Sequence, residues 1–294
     1  MTAAVRLRPR AAVAIALASV LGFVAFWWPF VIPPGTFAAT RMAPVLFGLL
    51  LVLVLAVLFA EVADGGIDAK AIAMLGVLSA INAALRPLGA GTAGIETMFF
   101  VLVLAGRVFG PGFGFALGCT SLFASALLTG GVGPWLPYQM FGAAWVGMFA
   151  GLLPPARGRV EVAMLAAYGA LAGYAYGFAI NLSFWPFAVD PNSSIGYDPG
   201  LPAAQLLHRY LVFDATTSLA WDTGRAVTTA ILVALAGPAV LGALRRAARR
   251  ASFAPPVRFE PYSATDPPPA IPNAADQPGP SCHHTESQDP SGPA

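Results

Sequence analysis

The sequence predicts an all-α integral membrane protein of about eight transmembrane helices. Three observations carry that expectation. The chain is 57% hydrophobic and 10% charged, where a soluble domain carries roughly 25% charged residues, and its mean hydropathy is +0.71. Its apolar residues fall into runs long enough to cross a bilayer's hydrocarbon as helix. Short turns of Gly, Pro and Arg separate those runs. No polar stretch in the first 250 residues could form a separate soluble domain, and no G-x-x-x-x-G-K-[ST] loop appears, so an ATPase within that stretch is excluded.

The first helix is expected at about Ala11–Ile32, with Trp27 and Trp28 anchoring its far end at an interface and Pro33-Pro34-Gly35 stopping it. The run is too long for the apolar region of a signal peptide, and no clear A-x-A site follows, so it reads as a retained helix. The second, about Ala43–Ala60, carries Leu and Val on all faces, as a lipid-facing span does. The third, about Ala69–Leu85, is expected to stop at Arg86-Pro87. The fourth is short, about Ile95–Phe109, and ends at Gly110-Pro111-Gly112. The fifth covers about Phe113–Thr129 and the sixth about Tyr138–Leu153. The seventh covers about Val160–Ile180, with a polar loop from Asn181 to Leu201. A short interfacial helix is expected at Pro202–Ala215, and the eighth span at about Leu219–Leu244, interrupted at Gly237-Pro238.

Arginine and lysine placement gives the orientation. With the N-terminus in the cytoplasm, eight crossings put both termini inside. Twelve basic residues then fall on the inner side, and four (Arg41, Arg86, Arg209 and Arg225) on the outer side. Such a bias places a multi-pass protein in the cell membrane with both termini cytoplasmic. Residues 1–67 hold the first two helices, 68–250 the other six, and 251–294 a Pro-rich tail. The tail is too poor in large apolar residues to bury a core and is expected to be disordered and cytoplasmic. Cys282-His283-His284 within it reads as chance composition rather than a metal site. Two cysteines make no disulfide framework, and a net charge of +2 points to no nucleic acid. No cofactor and no catalytic or metal-binding residue is expected.

Polar and aromatic residues cluster near the outer ends of the spans. They are Asn82, Arg86, Glu96, Trp135, Tyr138, Gln139, Asn181, Trp185, Trp221, Asp222 and Arg225. Ionisable groups at membrane depth are costly and face a cavity or a partner. The alternative is interfacial anchoring with local ion pairs, Glu96 with Arg86 and Asp222 with Arg225. As a set on one side, the eleven better fit a pocket for a flat, polar small molecule. A second pattern is a stripe of small residues, Ala69, Ala73, Gly76, Ala80 and Ala83, on one face of the third helix. Small residues let membrane helices approach closely, either within the bundle or against another protein. A third is Gly114 and Gly118, one turn apart, after the Gly-Pro-Gly turn.

The alanine-striped helix, the turn Phe109-Gly-Pro-Gly-Phe-Gly-Phe-Ala-Leu-Gly118, the Ser/Leu-rich helix after it and the Gly142–Gly151 helix leading to Leu152-Leu-Pro resemble the substrate-binding (S) component of energy-coupling factor (ECF) vitamin transporters. The resemblance covers about Asp68–Arg250 and is one of pattern and order. It implies a six-helix core, a bound vitamin or related micronutrient, and two kinds of partner: a transmembrane coupling protein and a pair of cytosolic ATPases. The family's first core helix docks on the coupling protein through an A-x-x-x-A signature. Ala69-x-x-x-Ala73 matches it, and Gly76 and Ala80 continue that face. The family is thought to topple within the bilayer to deliver its ligand. The two leading helices are a departure from its pattern.

Two other functions are open to a chain of this composition. A membrane-embedded transferase needs Asp-rich or His and carboxylate ligands for a metal–diphosphate site; no D-x-x-x-D accompanies the acidic pair Asp214 and Asp222, and the histidines are His208, His283 and His284. An autonomous secondary transporter usually holds carboxylates at mid-membrane, where the expected spans place none.

Overall fold

The structure, a computed structural model, describes residues 9–31, 48, 49, 52, 69–89, 94–133 and 135–251. The side chains of residues 10, 11, 31, 69 and 251 lie outside that description. Among the described residues there is no strand. In chain order the helices are α1 (Pro9–Phe26), α2 (Trp28–Val31), α3 (Ala69–Gly89), α4 (Met98–Phe109), α5 (Pro111–Thr129), α6 (Leu136–Leu152), α7 (Gly158–Ala188), α8 (Ala203–Thr217) and α9 (Leu219–Ala251).

Four of these are long and apolar enough to cross a membrane: Lys70–Gly89, Pro111–Thr129, Gly158–Ala188 and Leu219–Arg250. Large apolar side chains such as Leu128, Leu171 and Leu235 stand exposed on their outer faces, which suits contact with lipid. The fold is that of an all-α membrane protein. Of the expected second helix, Gly48, Leu49 and Val52 are helical, and its other residues lie outside the described set. The Pro-rich tail lies outside it as well.

α4 has only 12 residues, and ten of them are buried. It is wrapped by α5, α6 and α9, so it needs no lipid-facing length of its own. Gly110 makes the turn into α5. Its φ of +103° is a conformation that side chains resist, its N–H donates to the Gly106 carbonyl at 2.9 Å, and Pro111 starts α5 with the fixed φ a first helical residue requires.

Two seams of small residues set the packing. Between α5 and α6, a methyl at Gly114 would lie 2.2 Å from the Gly147 carbonyl oxygen, and one at Gly118 would lie 2.4 Å from Ala144 backbone. The expected Gly114/Gly118 contact face thus meets α6. Between α7 and α9, Gly169, Gly173 and Gly177 face Thr229, Ala226 and Asp222 in turn. Close backbone approach replaces the hydrophobic drive that lipid cannot supply. α1 lies on the outside of α6, where Gly22 meets Phe141 and Trp145 donates from Nε1 to Ser19 Oγ at 3.1 Å.

Several helix ends differ from the sequence expectation. α3 runs through Arg86-Pro87 to Gly89. α7 runs through Asn181 and past Pro186 to Ala188, which places Asn181 and Trp185 on the helix rather than in a loop. α9 continues through Gly237-Pro238 to Ala251. In each case proline costs one backbone hydrogen bond, and membrane helices tolerate that because neighbours and water resatisfy the freed carbonyl.

Candidate ligand-binding cavity

Chain direction sorts the charged residues into two ends. α3, α5 and α7 rise to one end, and α4, α6 and α9 start from it, so Arg86, Glu96, Asp222 and Arg225 meet there. Arg107, Glu161 and Arg245 gather at the opposite end. At that end Glu161, 1% exposed, accepts from Arg107 Nε at 2.8 Å and from Arg245 Nη2 at 2.7 Å, and Arg107 Nη1 also donates to the Leu153 carbonyl at 2.9 Å. One carboxylate there ties α4, α7 and α9 together.

At the first end a cavity of about 430 Å³ opens between the helix ends. That is within the size range of small-molecule sites. α3 delivers Arg86 to it along a polar ladder on α5. Ser79 Oγ lies 2.6 Å from Thr120 Oγ1, Asn82 Nδ2 donates to Ser121 Oγ at 3.0 Å, and Arg86 Nη1 reaches Ser125 Oγ at 3.5 Å. Residues 79, 82 and 86 share one helix face, so the ladder fixes the register of α3 against α5. Arg86 Nη2 also donates to Gln139 Oε1 at 3.3 Å.

The facing wall is built on Arg225. Its Nε donates to Glu96 Oε2 at 3.3 Å and its Nη1 to Asp222 Oδ1 at 2.5 Å. Nη1 also lies 3.4 Å from the Gly173 carbonyl, which the α7–α9 seam brings close. The guanidinium sits 5.1 Å from the Tyr176 ring centroid and 5.8 Å from that of Phe99, a stacked arrangement that stabilises a weakly hydrated cation. Asn181 Nδ2 bridges Asp214 Oδ1 at 2.7 Å and Ser218 Oγ at 2.5 Å, pinning the α8–α9 corner to α7. Trp135 and Trp221 stand half-exposed at the edge.

Known proteins give no guide to what this cavity takes: the chain matches no family model, no curated protein and no solved structure.

Of the eleven residues singled out in the sequence, eight line this one cavity: Arg86, Glu96, Trp135, Gln139, Asn181, Trp221, Asp222 and Arg225. The other three do not. Asn82 is fully buried on the ladder below Arg86. Tyr138 is buried against Phe26 of α1, ring centroids 5.2 Å apart. Trp185 is buried in a separate aromatic cluster with Tyr210 and Phe213, and its Nε1 donates to the Ile195 carbonyl at 2.7 Å. In that cluster burial pushes the Tyr210 and Tyr197 hydroxyls above the usual phenol range. Both stay protonated at neutral pH and donate to backbone, Tyr210 to the Phe178 carbonyl and Tyr197 to the Pro29 carbonyl.

The expected Glu96–Arg86 pair does not form. Glu96 pairs with Arg225, and among the described residues Arg86 has no carboxylate within 4.0 Å. The turn before α4 carries Glu96 toward α9 rather than back along α3. Sequence reading missed Tyr176 and Gly177, which line the cavity from α7. Glycines 169, 173 and 177 at every fourth position mark the face that meets α9 and could have pointed to both.

Among the described residues, no group of three His, Cys, Asp or Glu is placed to hold a metal ion. Cys282, His283 and His284 lie outside the described residues. Along the small-residue stripe, Ala73, Gly76 and Ala80 are exposed and a methyl at Gly76 would meet nothing within 4 Å, while Ala83 is buried. The Ala69 side chain lies outside the described set.

Proposed function

We propose that the protein is the substrate-binding component of an ECF-type transporter. In this reading it sits in the cell membrane as a multi-pass protein with both termini cytoplasmic. It binds a vitamin-like solute in the cavity from outside. It delivers the solute inward when docked on a coupling protein driven by two ATPases. The observation that carries the reading is the convergence on one cavity of polar and aromatic side chains from every core helix end at the arginine-poor side of the bundle. A cavity of this composition offers rings for stacking and a few convergent polar groups, which suits a small polar solute.

The exposed strip at Ala73, Gly76 and Ala80 supports the second half of the reading. It is smooth enough for a partner helix to approach closely. α1 packs on α6 and α7 instead of on this strip. Co-expression with the coupling protein and ATPase pair, followed by purification through a tag on this chain, tests the proposal. Stoichiometric recovery of the partners with ATP-dependent uptake in liposomes is expected. Uptake by the purified chain alone would overturn it.

That last outcome would favour an autonomous carrier. The specific observation on its side is the buried Asp222–Arg225 pair with Glu96 in the cavity wall, because such carriers use intramembrane carboxylates. Uptake would then follow an imposed proton or sodium gradient without ATP.

A further inference from the structure

The two arginines of the cavity are in unlike electrostatic states. Arg225 is shared by two carboxylates and covered by two aromatic rings. Its charge is more than matched, and its donors are mostly committed to protein. Among the described residues, Arg86 has only neutral oxygens within hydrogen-bond reach, Gln139 Oε1 at 3.3 Å and Ser125 Oγ at 3.5 Å, both long contacts. An arginine carries five N–H donors and stays protonated. Three of the five donors of Arg86 therefore have no partner among the described residues, and the residue lines the cavity. Gln139 adds to this. Its oxygen is taken by Arg86, so its amide nitrogen is the group left to donate, and among the described residues it has no acceptor.

The anchoring is directional as well. The Asn82–Ser121 and Ser79–Thr120 contacts fix the register of α3 one and two turns below Arg86, which holds the backbone from which the guanidinium reaches the cavity. A partly buried guanidinium with no counter-ion among the described residues suits an oxyanion, carboxylate or phosphate, which it binds through two parallel N–H donors. The opposite wall has the reverse character. Glu96 and Asp222 outnumber Arg225, which leaves acceptor oxygens over on that side.

We infer that the ligand of this cavity carries an anionic oxygen group, carboxylate or phosphate, which binds Arg86 and the Gln139 amide, and that its hydrogen-bond-donating end faces Glu96 and Asp222. The inference rests on the solute-binding reading above and narrows it to dipolar acids. Cations and uncharged solutes would leave Arg86 without a counter-ion in a site from which they displace water.

The test uses the full chain in lipid nanodiscs, exposed to a small-molecule extract of the source cells, repurified and analysed by mass spectrometry. The unmodified protein is expected to retain a molecule bearing a carboxylate or a phosphate, and the mass tells which. Arg86→Gln should lower its retention about 10- to 100-fold, the size of a charged hydrogen bond lost from a water-poor site. Arg86→Lys should recover part of it. A retained molecule without an anionic group, or equal retention by Arg86→Gln, overturns the inference and leaves the solute-binding reading standing. Retention of nothing overturns that reading and the inference with it. Should Arg86→Gln not fold, the unmodified protein decides the matter. The methyl ester or dephosphorylated form of the retained molecule should compete at least about 10-fold more weakly than the acid, and equal competition refutes the assignment.

Discussion

Asp222 packs directly over the backbone of Gly177: a methyl group at position 177 would sit 2.0 Å from Asp222 Oδ1. The same carboxylate is held by Arg225 at 2.5 Å. Helix packing and cavity electrostatics therefore meet in one contact. Gly177→Ala is expected to push Asp222 away, disrupt the ion pair and lower stability by about 3 kcal/mol, as the loss of a buried pair does. Gly76→Ala on α3 is the control. A methyl there would meet nothing within 4 Å, and removing a helix-interior glycine should be neutral or stabilising by about 0.5–1 kcal/mol. Thermal unfolding in detergent would rank the two, and equal melting temperatures would refute the packing account.

Arg225 serves two acids, so its loss is expected to be worse than the loss of either acid. Arg225→Ala should destabilise the bundle by about 3–5 kcal/mol, because Glu96 and Asp222 then remain close without a counter-charge. Adding Asp222→Asn to that variant should recover part of the loss. The coupling between the two changes, read from a double-mutant cycle, would be near zero if the pair played no part.

Trp135 is half-exposed and lines the cavity, and its side chain makes no hydrogen bond among the described residues. Trp135→Ala should therefore weaken ligand binding about 10-fold, roughly the worth of one aromatic contact of 0.5–1.5 kcal/mol plus the apolar area lost, and should leave the melting temperature of the ligand-free protein nearly unchanged. Isothermal titration with the retained ligand would measure it. Unchanged affinity would remove Trp135 from the site.

At the far end Glu161 pairs with both Arg107 and Arg245. Glu161→Gln keeps the shape and removes the charge. It should cost about 3 kcal/mol by leaving two partly buried guanidinium groups unpaired, and ligand affinity should hold because the cavity is at the other end of the bundle. A loss of affinity without a loss of stability would contradict that separation.

The coupling strip gives the opposite pattern. Ala73→Trp fills an exposed position and should leave folding and ligand binding intact while abolishing partner-driven uptake. Lost binding in that variant would mean that the strip packs within the protein.

The sequence was legible where the physics is local. Apolar runs with proline and glycine punctuation identified an all-α membrane protein and placed most of the described helices, because a backbone in lipid must satisfy its hydrogen bonds within the segment. Polar residues near span ends proved a good guide to the cavity for the same reason: burying them against lipid is costly wherever they fall. Local reasoning failed at Pro87, Pro186 and Pro238, where helices continue because neighbouring elements absorb one missing hydrogen bond.

What only the tertiary structure decided is who meets whom. Glu96 lies ten residues from Arg86 and 129 from Arg225, yet it pairs with Arg225, because the glycine seam of α7 seats α9 where its first turn meets the start of α4. Tyr138 and Trp185 resemble cavity residues in sequence and are core residues in space, since α1 covers the first and α8 the second. Composition and spacing fix which segments enter the membrane, a one-body balance between each residue and its solvent. Partner choice is a many-body outcome of close packing, and no single helix encodes it.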